Sequence, residues 1–287
     1  MDEIGAYREL VGRLLPEDRP DRLTVHQGQF HQVVMGSRHV VCFPRTAGAA
    51  ARLPERAARL RALAGLQLGF RTPRPVARAG DPRPGEPAFL LLTRVPGAPL
   101  PASALECPEA AEAVARQYAA LLAGLAAAGA DRRARRALPH NPPYAWREFA
   151  AAVRAELFPL MSAEGVGRAE RQLAALDALP HRTTAVVHGD LGAENVLWET
   201  GAGAPRLSGV VDWDEVSLGD PAEDLAAVGA SYGTDLMERI LAHRDRPDAA
   251  IRDRIAAVRG TFALQQALSA HRDGDAEELA DGLRGYR

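Results

Sequence analysis

The stretch VVHGDLGAENVLWE, Val186–Glu199, sets a histidine, two acids and an asparagine between apolar pairs. A second stretch, GVVDWDEV, Gly209–Val216, places Asp212, Asp214 and Glu215 after an apolar run of its own. Asp190 and Asn195 are five residues apart, and Asp212 comes 22 residues after Asp190. Two neighbouring strand ends would bring two carboxylates and one amide oxygen to one place. Oxygen ligands of this kind suit Mg²⁺, which keeps several waters and takes further ligands from substrate phosphates. A carboxylate beside an acceptor hydroxyl would complete a phosphoryl-transfer site, whose chemistry is positioning and neutralisation of charge. Asp190 is the candidate for that catalytic role, and Asn195 and Asp212 are the candidate metal ligands. His-Gly-Asp alone is a common turn. The second acidic run, at the end of its own strand, is what points beyond a turn. In GDPAEDLA, Asp220 reads as a helix cap with Pro221 at the first helical position. Asp224 reads as a carboxylate that ties this helix back to the loop.

The elements that must position these groups fall into two kinds. LTVHQGQ (Leu23–Gln29), HQVVMGS (His31–Ser37) and HVVCFPR (His39–Arg45) are short β-branched runs and predict a meander of antiparallel strands. AGAAARLPERAARLRALAGL carries Leu53, Ala57, Leu60 and Leu63 near helical spacing, with Gly65 as a stop. A Pro-rich loop, Thr72–Pro87, precedes the buried strand Ala88–Val95, and PGAPLP follows as a rigid connector. Beyond it the pattern is mainly helical, near 108–128, 145–160, 166–178, 221–231, 235–243 and 249–271. Two strand-like runs interrupt it, TTAVVHGD and Arg206–Val216. The expected organisation is a small strand-rich lobe over 1–95 and a larger helical lobe over 96–287 that carries a polar hairpin. The fold class is α+β.

Bulk properties narrow the function. The chain has 287 residues, 47% hydrophobic and 25% charged, an ordinary globular composition. MDEIGAYRELVGRLLP predicts a surface helix stopped by Pro16 rather than a leader. With no run of eighteen apolar residues, no membrane span is expected, and AVARQYAALLAGLAAAGA reads as a core helix with small residues at its packing face. Cys42 and Cys107 lack metal-ligand spacing and suit a reducing cytoplasm. Net charge is −2 but uneven. Residues 1–96 hold 15 Arg against 9 Asp/Glu, and residues 188–248 hold 4 Arg against 13 Asp/Glu. That asymmetry suits an anionic partner at one end and a cationic one at the other. No nucleic-acid partner is indicated. There is no lysine anywhere in the chain.

HGDLGAENVLW followed by GVVDWDEVSLGDPAEDLA closely resembles the aminoglycoside phosphotransferase family, kinases of bilobal protein-kinase-like fold. The resemblance extends to the order of elements over nearly the whole chain. GQFHQVVMGSRHVVCF, LGFRTPRP and RGTFALQQAL look most like the branch that uses ATP to phosphorylate a serine hydroxyl of tuberactinomycin cyclic peptides such as viomycin and capreomycin. The resemblance implies ATP and Mg²⁺ as cofactors and antibiotic resistance as the role, with the lobe over 1–95 binding nucleotide and the lobe over 96–287 catalytic and binding the antibiotic; a monomer or weak dimer is expected. It makes Asp190 the catalytic base, Asn195 and Asp212 the Mg²⁺ ligands, and His188 a brace for the loop. Glu55 falls at the family's N-lobe helix glutamate. Thr93 and Val95 fall in the hinge that holds the adenine edge, and Gly28 and Phe30 in the hairpin over the nucleotide.

The sequence departs from the family at one point. The strand lysine that pairs with the helix glutamate and contacts phosphates is replaced by Cys42. Arg45 is the candidate substitute, since its fork suits phosphate oxygens, with Arg52 behind it. Strand alternation, however, sets positions 42 and 45 on opposite faces unless Pro44 twists the strand. For the acceptor, Glu194, Asp214, Glu215 and Asp235 are candidate contacts to a polycation. Charge alone does not separate a basic cyclic peptide from an aminoglycoside, so a kinase for aminoglycosides or other small alcohols remains the alternative. The missing lysine also leaves open a nucleotide-binding module without turnover. A metal-dependent hydrolase would need more histidine or carboxylate ligands near His188.

Overall fold

α1 (Arg8–Leu14) leads into β1 (Thr24–Gln27), β2 (His31–Met35) and β3 (His39–Pro44); α2 (Ala47–Ala64), β4 (Pro75–Arg78) and β5 (Leu90–Thr93) follow. This is a computed structural model that describes residues 7–28, 31–78, 87–201, 203–244 and 250–287. The five strands form one antiparallel sheet in the order β1-β2-β3-β5-β4. Alternation along β3 decides what each face packs against. Val41 and Phe43 join Leu10, Val11 and Leu91 on the face covered by α1. Cys42 joins Leu90, Leu92 and the α2 stripe of Leu53, Ala57 and Leu60 on the other. Thr46 caps α2 by accepting the Ala49 N–H at 3.1 Å, and the helix ends at Gly65.

After the short β6 (Ala98–Pro99) the chain becomes mainly helical. α3 (Pro108–Ala130), α4 (Arg132–Ala137), α5 (Ala145–Ala152) and α6 (Ala163–Asp177) precede β7 (Ala185–Val187), β8 (Val196–Glu199), β9 (Arg206–Val210) and β10 (Ser217–Gly219). Next come α7 (Pro221–Tyr232), α8 (Thr234–Ala242), α9 (Ile251–Gly260), α10 (Phe262–Asp273) and α11 (Ala276–Gly282). By length and composition alone α3 could cross a membrane. Here its small residues let backbones close in: a Cβ on Gly124 would lie 2.5 Å from the Leu68 carbonyl, and one on Gly129 would lie 2.5 Å from Ala185. Its Val114, Tyr118, Leu121 and Leu125 belong to a core that runs continuously from α2 to α9.

The structure corrects several expected elements. The Pro-rich loop contains β4, an edge strand that Pro75 can open because its missing N–H faces no ladder partner. The run over 206–216 is not one strand: β9 ends at Val210, the chain turns at Asp212, and β10 resumes at Ser217. VLWE forms β8, which was not anticipated. The helix expected over 145–160 is α5 continued by a π-helical turn and a 3₁₀ turn at Pro159. The helix expected over 249–271 divides at buried Thr261, whose hydroxyl donates to the Val258 carbonyl at 2.8 Å. Its first position, 249, lies outside the described residues.

Candidate active site

β7 runs directly into His188, whose side chain is fully buried. The ring's Nε2 donates to the Val211 carbonyl at 2.8 Å, and its Nδ1 accepts the Asp190 N–H at 3.2 Å. Both bonds are satisfied by one neutral tautomer, and burial lowers the pKa of the ring. The ring also meets Trp213 edge-on, with centroids 4.6 Å apart. His188 therefore ties the loop after β7 to the segment after β9.

Gly189 is a position where glycine is required. Its φ is +89°, and a Cβ would lie 2.8 Å from Cβ of Glu215. The His188 and Gly189 N–H groups both donate to the buried carboxylate of Asp224, at 3.0 and 3.1 Å. Asp224 stands in the first turn of α7. Asp220 caps that helix in a capping box with Glu223, with Pro221 at its start. Asp220 also pairs with the buried guanidinium of Arg254 on α9. Burial raises the Asp224 carboxyl to about 7, against the two amides that pull it down.

The loop thus braced presents Asp190, which is exposed. The Asn195 Nδ2 donates to the Asp190 carbonyl at 2.8 Å and to its Oδ2 at 3.0 Å. The short turn Ala193–Asn195 makes this reach possible, and the Ser231 hydroxyl steadies it by accepting the Ala193 N–H at 3.0 Å. With Nδ2 given to Asp190, Asn195 offers Oδ1 for another partner. Its own carbonyl accepts the Val211 N–H at 2.9 Å, so Asp212 follows one residue beyond the link. Asp212 has φ +61°, the one positive value at a non-glycine position among the described residues. Aspartate tolerates this region better than most side chains, yet such backbone is strained and concentrates at functional sites.

Burial and the charges of Asp214 and Asp190 raise the Asp212 carboxyl, and Arg56 opposes them from 3.9 Å. This crowding of anionic oxygens fits a divalent cation. Among the described residues no group of three or more His, Cys, Asp or Glu side chains forms a metal cage. One carboxylate and one amide oxygen instead match Mg²⁺ that arrives with phosphates and keeps its waters.

The remaining expected site residues are spread more widely. Asp214 accepts Arg56 Nε at 2.5 Å, and its carbonyl accepts Arg59 at 3.0 Å, so it is engaged within the chain. Glu194, Glu215 and Asp235 are exposed, Asp235 in the first turn of α8. Gly28 donates its N–H to the His31 carbonyl at 2.9 Å, closing the β1–β2 hairpin; Phe30 lies outside the described residues. Arg45 is exposed just past the end of β3 and donates to the Gly28 carbonyl at 2.8 Å, so its guanidinium is engaged at the β1–β2 hairpin. Glu55 is exposed and pairs with Arg59 at 2.6 Å rather than with the sheet. The Thr93 N–H donates to the Arg74 carbonyl, and its hydroxyl accepts the Arg74 N–H, both at 2.9 Å. Thr93 therefore fastens β5 to β4, while Val95 is buried beside Gly209.

Arg56, Arg59, Trp213 and Ser231 were not singled out from the sequence. A signal existed for Arg56, which lies three residues after Leu53 and four before Leu60, within the buried stripe of α2.

A five-stranded sheet beside a helical region, with an exposed aspartate, an asparagine and a second aspartate converging between strand ends, defines a kinase-like phosphotransferase. Residues 27–279 match the phosphotransferase enzyme family, and the chain belongs to it. It is 64% identical over 284 residues to viomycin phosphotransferase of Streptomyces vinaceus, covering 99% of both chains. Solved structures share the fold at low identity. The GDP and kanamycin complex of APH(2'')-IIIa superposes with a TM-score of 0.83 at 19% identity, covering 98% of this chain and 97% of that one. Macrolide 2'-phosphotransferase type I superposes at 0.74 and 22%, with the same coverage.

Proposed function

We propose that this enzyme transfers the γ-phosphoryl group of ATP to a serine hydroxyl of a cationic cyclic peptide antibiotic of the viomycin and capreomycin type, and so confers resistance to it. The observation that carries the reading is the convergence of Asp190, Asn195 and Asp212 in a chain 64% identical to a viomycin phosphotransferase over nearly its whole length.

The residues divide the work. Asp190 is exposed where an acceptor can approach, and Asn195 holds one of its carboxylate oxygens in place. Asp190 orients the hydroxyl and takes its proton as the oxygen bonds to the γ-phosphorus. The bond to the β–γ bridging oxygen breaks, ADP leaves, and the proton passes from Asp190 to solvent. Asn195 Oδ1 and the Asp212 carboxylate would hold Mg²⁺, which when bound neutralises charge on the transferred group. Neutral His188 keeps the loop and the Asp212 segment in register. The β1–β2 hairpin at Gly28 and the segment at Val95 frame the nucleotide. Glu194, Glu215 and Asp235 are the acids exposed to a polycationic acceptor.

The test is mass spectrometry of viomycin, capreomycin and kanamycin after incubation with enzyme, ATP and Mg²⁺. One added phosphoryl group on viomycin or capreomycin is expected. Phosphorylation of kanamycin alone would replace this acceptor with an aminoglycoside.

A further inference from the structure

A cleft of about 350 Å³ lies between α2 and the segment after β9. Arg52, Arg56 and Arg59 line it from α2, Trp213 and Asp214 face them, and His31 lies on the β2 side. The three arginines recur at positions i, i+4 and i+7 and so share one face of the helix. Burial and the neighbouring Arg56 hold the His31 imidazole down to about 4, so it is neutral near pH 7. The cations of this cleft are therefore the guanidiniums.

Arg56 is the innermost of them. Its side chain is 16% exposed, Nε is fixed to Asp214 at 2.5 Å, and Nη2 lies 3.9 Å from Asp212. Nη1 is buried with no oxygen or nitrogen to donate to, and the guanidinium lies against the Cys42 thiol. A guanidinium N–H so placed is costly to bury unless an anion meets it. The anion that belongs beside Asp212 is the phosphate chain of the nucleotide. Beneath Arg56 lies Cys42, a buried thiol whose pKa is pushed up by burial, so it stays small and uncharged. A lysine at position 42 would set an ammonium against Arg56.

We propose that Arg56, on α2, is the cation that grips the nucleotide phosphates, the role a β3 lysine has in kinases of this fold, with Cys42 as the small neutral residue that makes room for it. Strand and helix have exchanged parts: the cation comes from the helix, and Glu55, on the cleft wall, pairs with Arg59. Asp214 then acts as the anchor that aims Arg56, in place of the helix glutamate.

The inference rests on the phosphotransferase reading above, and nucleotide binding separates the two. Calorimetry would compare ATP, ADP and adenosine on wild type, Arg56→Met, Arg56→Lys and Arg45→Ala. In Arg56→Met, affinity for ATP and ADP should fall about tenfold or more, with adenosine unchanged. Arg56→Lys should fall less, and adding Cys42→Lys to Arg56→Met should recover part of the loss. Should Arg56→Met not fold, Arg56→Gln decides by the same ratio, because it keeps a donor for Asp214 without the charge. An unchanged ATP-to-adenosine ratio, or equal loss of both ligands, would overturn the proposal, as would loss of the ratio in Arg45→Ala alone. Wild type that binds ATP yet phosphorylates no antibiotic would sink the functional reading while leaving this ratio decisive for Arg56.

Discussion

The carboxylate of Asp224 accepts the backbone N–H of His188 at 3.0 Å across 36 residues of chain. The same carboxylate takes the Gly189 N–H at 3.1 Å. One buried side chain on α7 thus sets the exit of β7, and with it the direction in which Asp190 leaves the core. Removing it orphans the buried His188 amide and the partly buried Gly189 amide. Asp224→Ala is expected to destabilise the protein by about 2–5 kcal/mol and to lower kcat together with stability. Urea unfolding and steady-state kinetics on the same preparation check this. A midpoint equal to wild type would mean that the loop is held by other contacts.

Asp190 has a different signature because it is exposed and bonds only locally. Asp190→Ala should lower the phosphorylation rate by about 10²–10⁴-fold with little change in unfolding midpoint or ATP affinity. Near-normal turnover would remove Asp190 from the catalytic role.

Asp212 is expected to act through the cation. Asp212→Asn keeps a residue that tolerates φ near +61° while removing the charge. Its ATP affinity measured with Mg²⁺ should fall at least about tenfold, while affinity measured without Mg²⁺ should change little. Equal losses under both conditions would assign Asp212 to loop structure instead.

Glu223 provides a pH test outside the reaction. Burial raises its carboxyl to about 7 from an ordinary 4.5, while it accepts the Asp220 N–H and an Asn141 amide. The folded state therefore holds a proton that the unfolded state releases at lower pH. The resulting stability is complete below pH 4.5 and is lost as pH rises through 7. Glu223→Gln keeps both hydrogen bonds and has no such loss. Its Tm relative to wild type should rise between pH 5 and pH 8, with a free-energy change of up to about 3 kcal/mol. Parallel Tm curves for the two proteins would refute the shift.

The reactive loop was legible in the sequence because its geometry is local. Five residues and one short turn bring Asn195 to Asp190, and the start of α7 announces itself through Asp220 as cap and Pro221 at the first position. β8 was not, because four residues of VLWE carry too little periodicity to separate a strand from a loop. Arg56 was not singled out for a related reason. Arg45 is near Cys42 in sequence but lies past the end of β3 against the Gly28 carbonyl, and Glu55 and Arg56 are neighbours about 100° apart around α2.

By itself the sequence determined which groups were available: an aspartate after a strand, an asparagine five residues on, a second acidic run, and no lysine. It also determined the sheet-then-helix order, since strand and helix periodicities are properties of consecutive residues. Tertiary structure alone decided which charges meet. Arg56 reaches Asp214 across 158 residues, and the tie expected from Asp224 to the loop lands on the His188 and Gly189 N–H groups. Those pairings depend on how α2 and α7 dock and rotate against the strand ends, and docking is set by packing of the whole core rather than by any local stretch.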